Sequence, residues 1–171
     1  MNADNHPFAS AGPFPPASGL IPIPILCGRI PAGNAQPVED SIQNWIFLTK
    51  ELLENPGGNL IALRIEGKSM EPDLPDGALV VVDQTDREVT PEAIFALREA
   101  GGSCTVKRVK MLDENRITLI PSNLSVSEPE FWTLGPGETL TDRVIGKVVW
   151  VGINLLGGAS GLEGEDFPSD G

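Results

Sequence analysis

Between the apolar runs Leu60 to Ile65 and Ala78 to Val82 the chain carries Gly67, Pro72, Pro75 and the pair Asp76-Gly77. Apolar runs this short suit strands and fall well below the length of a stable helix. The interval therefore reads as strand, sharp bend, turn, strand. Gly67 reaches backbone angles that a side chain forbids, so the chain can bend there and present the hydroxyl of Ser69. The two prolines and Asp76-Gly77 then fix a turn before the chain re-enters a sheet. A serine held on a rigid bend at a strand end can serve as a nucleophile. Most Gly-X-Ser sequences are ordinary loops, so the stretch does not carry that reading alone.

The same punctuation recurs along the chain. Ala93 to Leu97, Ser103 to Lys110, Arg116 to Ile120 and Val144 to Val151 are further short apolar or alternating runs. Together they predict about six or seven strands. In Leu60 to Ile65, alternation places Ile61, Leu63 and Ile65 on one face and Ala62 and Arg64 on the other. Ala78 to Val82 is continuously apolar, as in a strand buried on both sides. One helix is expected over Trp45 to Asn55, with Thr49 as N-cap and Pro56-Gly57-Gly58 as terminator. The fold class is mainly β: a sandwich or partly open barrel with one short helix.

Residues 1 to 20 are rich in Pro, Ala, Gly and Ser and read as a flexible arm. Residues 21 to 40 read as an extended edge strand or docked arm, because Pro22 and Pro24 suit a sheet edge. The remaining domain spans 41 to 155, and the Gly-, Ser- and acid-rich end, 156 to 171, is expected to be a disordered tail.

Charge and rare residues exclude much. The net charge of −12 over 171 residues predicts no direct nucleic-acid binding. No apolar run is long enough to span a bilayer and the start lacks a signal-peptide pattern, so no membrane association and a cytoplasmic location are expected. Cys27 and Cys104, the two cysteines, have no metal-ligand spacing, and neither a metal nor a cofactor is expected. The single histidine is His6, in the arm. That removes Ser-His-Asp triads, Cys-His pairs and His-bearing zinc sites, and leaves lysine as the usual remaining base for a hydroxyl nucleophile.

Within Cys104 to Lys110, the two-residue period puts Thr105, Lys107 and Val109 on one face and Val106, Arg108 and Lys110 on the other. Lys107 is the cation with uncharged neighbours on its own face. Burial would depress its pKa, and a neutral amine beside Ser69 could take the hydroxyl proton and return it to a leaving amine. Taken alone, Lys107 is an ordinary strand lysine.

Gly67-Lys68-Ser69-Met70-Glu71-Pro72, the Pro75-Asp76-Gly77 turn and Thr105-Val106-Lys107-Arg108-Val109 stand in an order that resembles the LexA/UmuD family of self-cleaving Ser-Lys peptidases. The closing Val144-Ile145-Gly146-Lys147-Val148-Val149-Trp150 is similar to that family's last strand, and the likeness covers roughly residues 21 to 155. The resemblance implies a LexA C-terminal-domain-like fold, Ser69 as nucleophile and Lys107 as general base. Backbone N–H groups of Lys68 and Ser69 would form the oxyanion hole. Leu26 to Gly33 resembles the LexA cleavage segment, which implies self-cleavage at Ala32–Gly33, with Cys27–Gly28 as second choice.

Only 32 residues precede that bond, and Ile46 to Pro56 is similar to a segment of UmuD-like proteins, so a short UmuD-like member is expected. The resemblance then implies a homodimer, cleavage stimulated by the RecA–single-stranded DNA filament in the SOS response, and a product that assists a translesion DNA polymerase subunit. The alternative is a repressor-type dimerisation module acting in transcription control without its own DNA-binding domain. A signal-peptidase relative, which uses similar Ser-Lys logic, would need a membrane anchor that no stretch here supplies.

Overall fold

The computed structural model describes residues 19–26, 42–53, 58–99 and 102–155. The arm to residue 18, the tail from 156, and both expected cleavage bonds (Ala32–Gly33 and Cys27–Gly28) lie outside the described residues.

Nine strands form one mixed sheet: β1 (Leu20–Leu26), β2 (Ile42–Thr49), β3 (Leu60–Arg64), β4 (Leu79–Asp83), β5 (Ile94–Arg98), β6 (Cys104–Met111), β7 (Arg116–Ile120), β8 (Glu130–Thr133) and β9 (Val144–Gly152). Their order across the sheet is β2-β1-β3-β4-β9-β5-β6-β7-β8. The α-helix among the described residues is the single turn α1 (Leu140–Arg143). The mainly β expectation holds, and no helix among the described residues is long and apolar enough to cross a membrane.

Among the described residues no helix is long enough to cover the sheet. Gln43 of β2 and Thr105 to Lys107 of β6 line one cleft of about 370 Å³. In a flat sheet those strands would stand about 29 Å apart, at ~4.8 Å per strand. The sheet therefore curls. Register shifts in the β1–β2, β4–β9 and β5–β9 ladders supply local bends of the kind that bulges produce. The two faces of β3 enter different cores: Ile61, Leu63 and Ile65 pack with Val80, Val82, Met70 and Leu74, whereas Leu60 and Ala62 pack with Val81, Ile23 and Leu48. This is the alternation read from the sequence, and β4 is buried on both sides as its apolar run requires.

Two expectations are corrected. The helix over Trp45 to Asn55 is instead strand β2 followed by a short 3-10 helix, Lys50–Leu53. Trp45-Ile46-Phe47-Leu48-Thr49 consists largely of aromatic and β-branched residues, and its pairing with β1 outweighs the helical preference of the Glu51 to Glu54 stretch. That preference survives only as the 3-10 turn, anchored by buried Leu53. Second, β1 is not an edge strand: β2 takes the edge and β1 lies between it and β3. Its two prolines are tolerated where the ladder to β3 has one register pair, Ile25 with Ala62.

Gly146 lies on β9 beside the end of its neighbour β4, where Asp83 pairs with Lys147. A Cβ there would lie 2.2 Å from the carbonyl oxygen of Asp83. Gly146→Ala should therefore destabilise the domain by about 1–3 kcal/mol, the usual range for overpacking, read by thermal denaturation; an unchanged Tm would contradict this packing.

Candidate active site

The segment after β3 is built as a rigid bend. Ile65 N–H donates to Ala78 O at 2.8 Å and Gly77 N–H to Ile65 O at 2.9 Å, closing the turn at its base. Gly67 has φ of +86° and Gly77 of +78°, the left-handed region that glycine occupies without strain. Gly67 N–H donates to the Asp76 carboxylate at 2.8 Å, tying the bend to the turn that follows it. Inside, Leu74 N–H donates to Met70 O at 2.8 Å, and the side chains of Met70 and Leu74 are 2% and 3% exposed. Each such buried side chain stabilises by about 1.5–3 kcal/mol at most. Ser69 thus sits beside a buried anchor on a turn closed at both ends.

Lys107 reaches this serine from β6. Its burial and that of Val109 follow the alternation read from the sequence. The ammonium Nζ stands 2.9 Å from Ser69 Oγ, 3.2 Å from Val106 O and 3.4 Å from Thr105 Oγ1. All three acceptors are neutral. Among the described residues no carboxylate lies within ion-pair distance of it. Lys107 is only 6% exposed. Burial pulls its pKa below the ordinary lysine value, against a smaller opposing effect of the Glu130 and Glu99 charges. The amine is therefore easier to deprotonate than a surface lysine. Ser69 and Lys107, picked from separate motifs, are brought within one hydrogen bond.

The cleft beside them is lined by Leu26, Gln43, Leu63 to Glu66, Met70 and Cys104 to Val106 as well as by the pair itself. Leu26 ends β1 and Gln43 stands near the start of β2, with Leu26 in register with Ile42. The chain between them in sequence, which carries Cys27, Gly28, Ala32 and Gly33, joins two residues of the cleft lining. Lys68 and Ser69 have no acceptor for their backbone N–H groups among the described residues. Cys104 lines the same cleft, but desolvation pushes its thiol up to about 12, so it is a small, partly buried hydrophobe rather than a second nucleophile. No cluster of metal-ligating side chains occurs among the described residues.

Sequence reasoning missed the groups on the far side of the turn. Arg108 points away from Lys107, as the alternation predicts, and its Nη1 donates to Asp73 Oδ2 at 3.1 Å and to Ser122 Oγ at 2.7 Å. Ser122 in turn donates to Asp73 Oδ2 at 2.6 Å. Those contacts, led by the Ser122 hydrogen bond, hold the Asp73 carboxyl below the usual carboxylate range. The alternation of β6 could have flagged Arg108; nothing local could have flagged Ser122, which is 49 residues from Asp73. The ion pair is half exposed and contributes about 0.2–1 kcal/mol, too little to hold the domain together.

The Peptidase S24-like family profile matches residues 24–149. The LexA repressor of Petrotoga mobilis is 31% identical over 104 residues, covering 60% of this chain and 50% of that repressor. Protein SamA of Salmonella typhimurium is 30% identical over 115 residues, 67% of this chain and 76% of SamA. A LexA repressor of Leptospira biflexa is 30% identical over 128 residues, 74% and 56% of the respective chains. This chain spans about half the length of the LexA repressors it matches.

Because the buried amine resists charging while the unfolded chain does not, the unfolded state binds more protons between the depressed folded pKa and the ordinary lysine value of 10.5. Lys107 therefore costs stability near neutral pH, and the cost fades as pH rises through that window. Lys107→Met should raise Tm at pH 7, with the gain shrinking toward pH 10.5. A gain that is absent, or that grows with pH, would contradict the burial of this amine.

Proposed function

The chain belongs to the Peptidase S24-like family, and on that premise we propose that it is a Ser-Lys peptidase that cleaves its own polypeptide. The family is one of SOS-related self-cleaving proteins. The observation that carries the reading is the 2.9 Å contact between Lys107 Nζ and Ser69 Oγ, made by a buried amine with neutral partners only. Neutral Lys107 accepts the Ser69 proton as Oγ attacks the scissile carbonyl. The resulting oxyanion is held by the N–H groups of Lys68 and Ser69, a role supported by their lack of other acceptors among the described residues. The tetrahedral intermediate collapses, and the Lys107 ammonium gives its proton to the leaving amine. Water, deprotonated by the regenerated amine, then hydrolyses the Ser69 ester.

The substrate bond of this proposal is Ala32–Gly33, with Cys27–Gly28 as the alternative. Attachment of their segment to the cleft rim at Leu26 and Gln43 supports attack within one chain. Such attack is unimolecular and needs no affinity between molecules. The bond after Ala32 lies six residues beyond Leu26, a span of up to ~20 Å when extended.

Within the family we read the protein as UmuD-like, supported by the match to SamA over 76% of that protein's length. A homodimer, stimulation by the RecA–single-stranded DNA filament and a product that serves a translesion polymerase belong to this reading; their support is the motif resemblance. A repressor-type regulatory module is the second reading, favoured by the two LexA repressors. Binding to a full-length repressor without any cleavage would favour it.

Purified protein held at alkaline pH should yield fragments 1–32 and 33–171, at a rate that climbs with pH and levels off once Lys107 is neutral. Ser69→Ala and Lys107→Ala should each stop cleavage with the fold retained, as read by intact mass and circular dichroism. A wild-type chain that stays intact at every pH, with and without RecA filament, sinks the proposal.

A further inference from the structure

We propose that Arg108, Asp73 and Ser122 form a positioning device that presses the Ser69 turn against β6 and so sets the distance from Ser69 Oγ to Lys107 Nζ. The proposal rests on the Ser-Lys reading above and adds three residues that take no part in the proton transfers themselves.

The geometry is a closed ring. Arg108 Nη1 donates to both Asp73 Oδ2 (3.1 Å) and Ser122 Oγ (2.7 Å), and Ser122 Oγ donates to Asp73 Oδ2 (2.6 Å). Each member comes from a different element. Arg108 follows Lys107 on β6, Asp73 lies four residues after Ser69 on its turn, and Ser122 lies just after β7. Two more contacts tighten the same junction. Asn123 N–H, next to Ser122, donates to the carbonyl oxygen of Ser69 itself at 2.9 Å. Ser122 Oγ also stands 3.9 Å from the sulfur of buried Met70, which adjoins Ser69.

The serine is thus held between neighbouring residues of one strand. Lys107 meets its hydroxyl, while Arg108, pointing the other way, grips the turn through Asp73. Any slip of the turn along β6 would change the Oγ–Nζ distance directly, since both grips share one stretch of backbone. Ser122 is the keystone because it contacts the acid, the guanidinium and Met70 at once. Reaction rates fall steeply with small misplacements of reacting atoms, on the order of 100-fold per ångström. The ring's effect should therefore be kinetic before it is thermodynamic.

Self-cleavage should be followed by intact mass across pH for wild type, Ser122→Ala, Asp73→Ala and Ser122→Thr, with Ser125→Ala as an exposed control from the same loop. The proposal expects the alkaline plateau rate of Ser122→Ala and Asp73→Ala to drop by about 10-fold or more. The pH midpoint and Tm should stay within error of wild type. Ser122→Thr, which keeps the hydroxyl, should recover most of the rate, and Ser125→Ala should match wild type. A wild type that cleaves while Ser122→Ala keeps its plateau within twofold overturns the proposal alone. So does a drop accounted for by loss of folded protein, or a change confined to the midpoint, which would place the ring's effect on the charge of Lys107 instead. A wild type that never cleaves overturns the Ser-Lys reading and this one with it.

Discussion

The contact on which this structure turns joins a hydroxyl on a bend to an amine from a distant strand. Ser69 and Lys107 are 38 residues apart, and their 2.9 Å approach exists only because the sheet curls enough to bring the end of β3 over β6. Neither group is unusual in isolation. A serine at a glycine-led turn is common, and a strand lysine is commonly solvated. The joint arrangement changes the chemistry of both: burial makes the ammonium costly, and the nearby hydroxyl is the group from which a neutral amine can draw a proton.

The fold serves that contact in two ways. The bend is fixed by backbone hydrogen bonds at its base, by the Asp76 carboxylate on Gly67 N–H, and by the burial of Met70 and Leu74. The lysine is fixed by a central antiparallel ladder in which β6 pairs with both β5 and β7. Rigid elements on both sides thus hold the hydroxyl and the amine at one hydrogen bond's distance. The cleft that holds Ser69 and Lys107 is lined in part by Leu26 and Gln43, which flank the expected cleavage segment in sequence.

Much of this was legible in the residues. Alternation sorted Leu60 to Ile65 onto the two faces that enter different cores and put Lys107 and Val109 together on the buried face of β6, and the Gly-Lys-Ser-Met and Thr-Val-Lys motifs named the two groups that meet. Local pattern failed where a partner strand decided the outcome. The stretch from Trp45 became a strand because β1 lay alongside it to pair, which a window of sequence around it does not contain. β8, a four-residue strand directly after Pro129, is too short to show a period, and its Trp132 is held by packing against the core around Phe95 and by Arg143 stacked over its ring. The ring of Arg108, Asp73 and Ser122 was invisible for the same reason: it joins three elements remote in sequence, and no spacing rule links them.

The state of one amine tests the account most directly. Selective isotope labelling of lysine in the Ser69→Ala chain, which should remain intact, would allow the Lys107 side chain to be titrated by NMR. The account predicts a midpoint clearly below the 10.5 of an unperturbed lysine. A midpoint at or above that value would mean that the amine is solvated or ion-paired, and that the hydroxyl of Ser69 has no base.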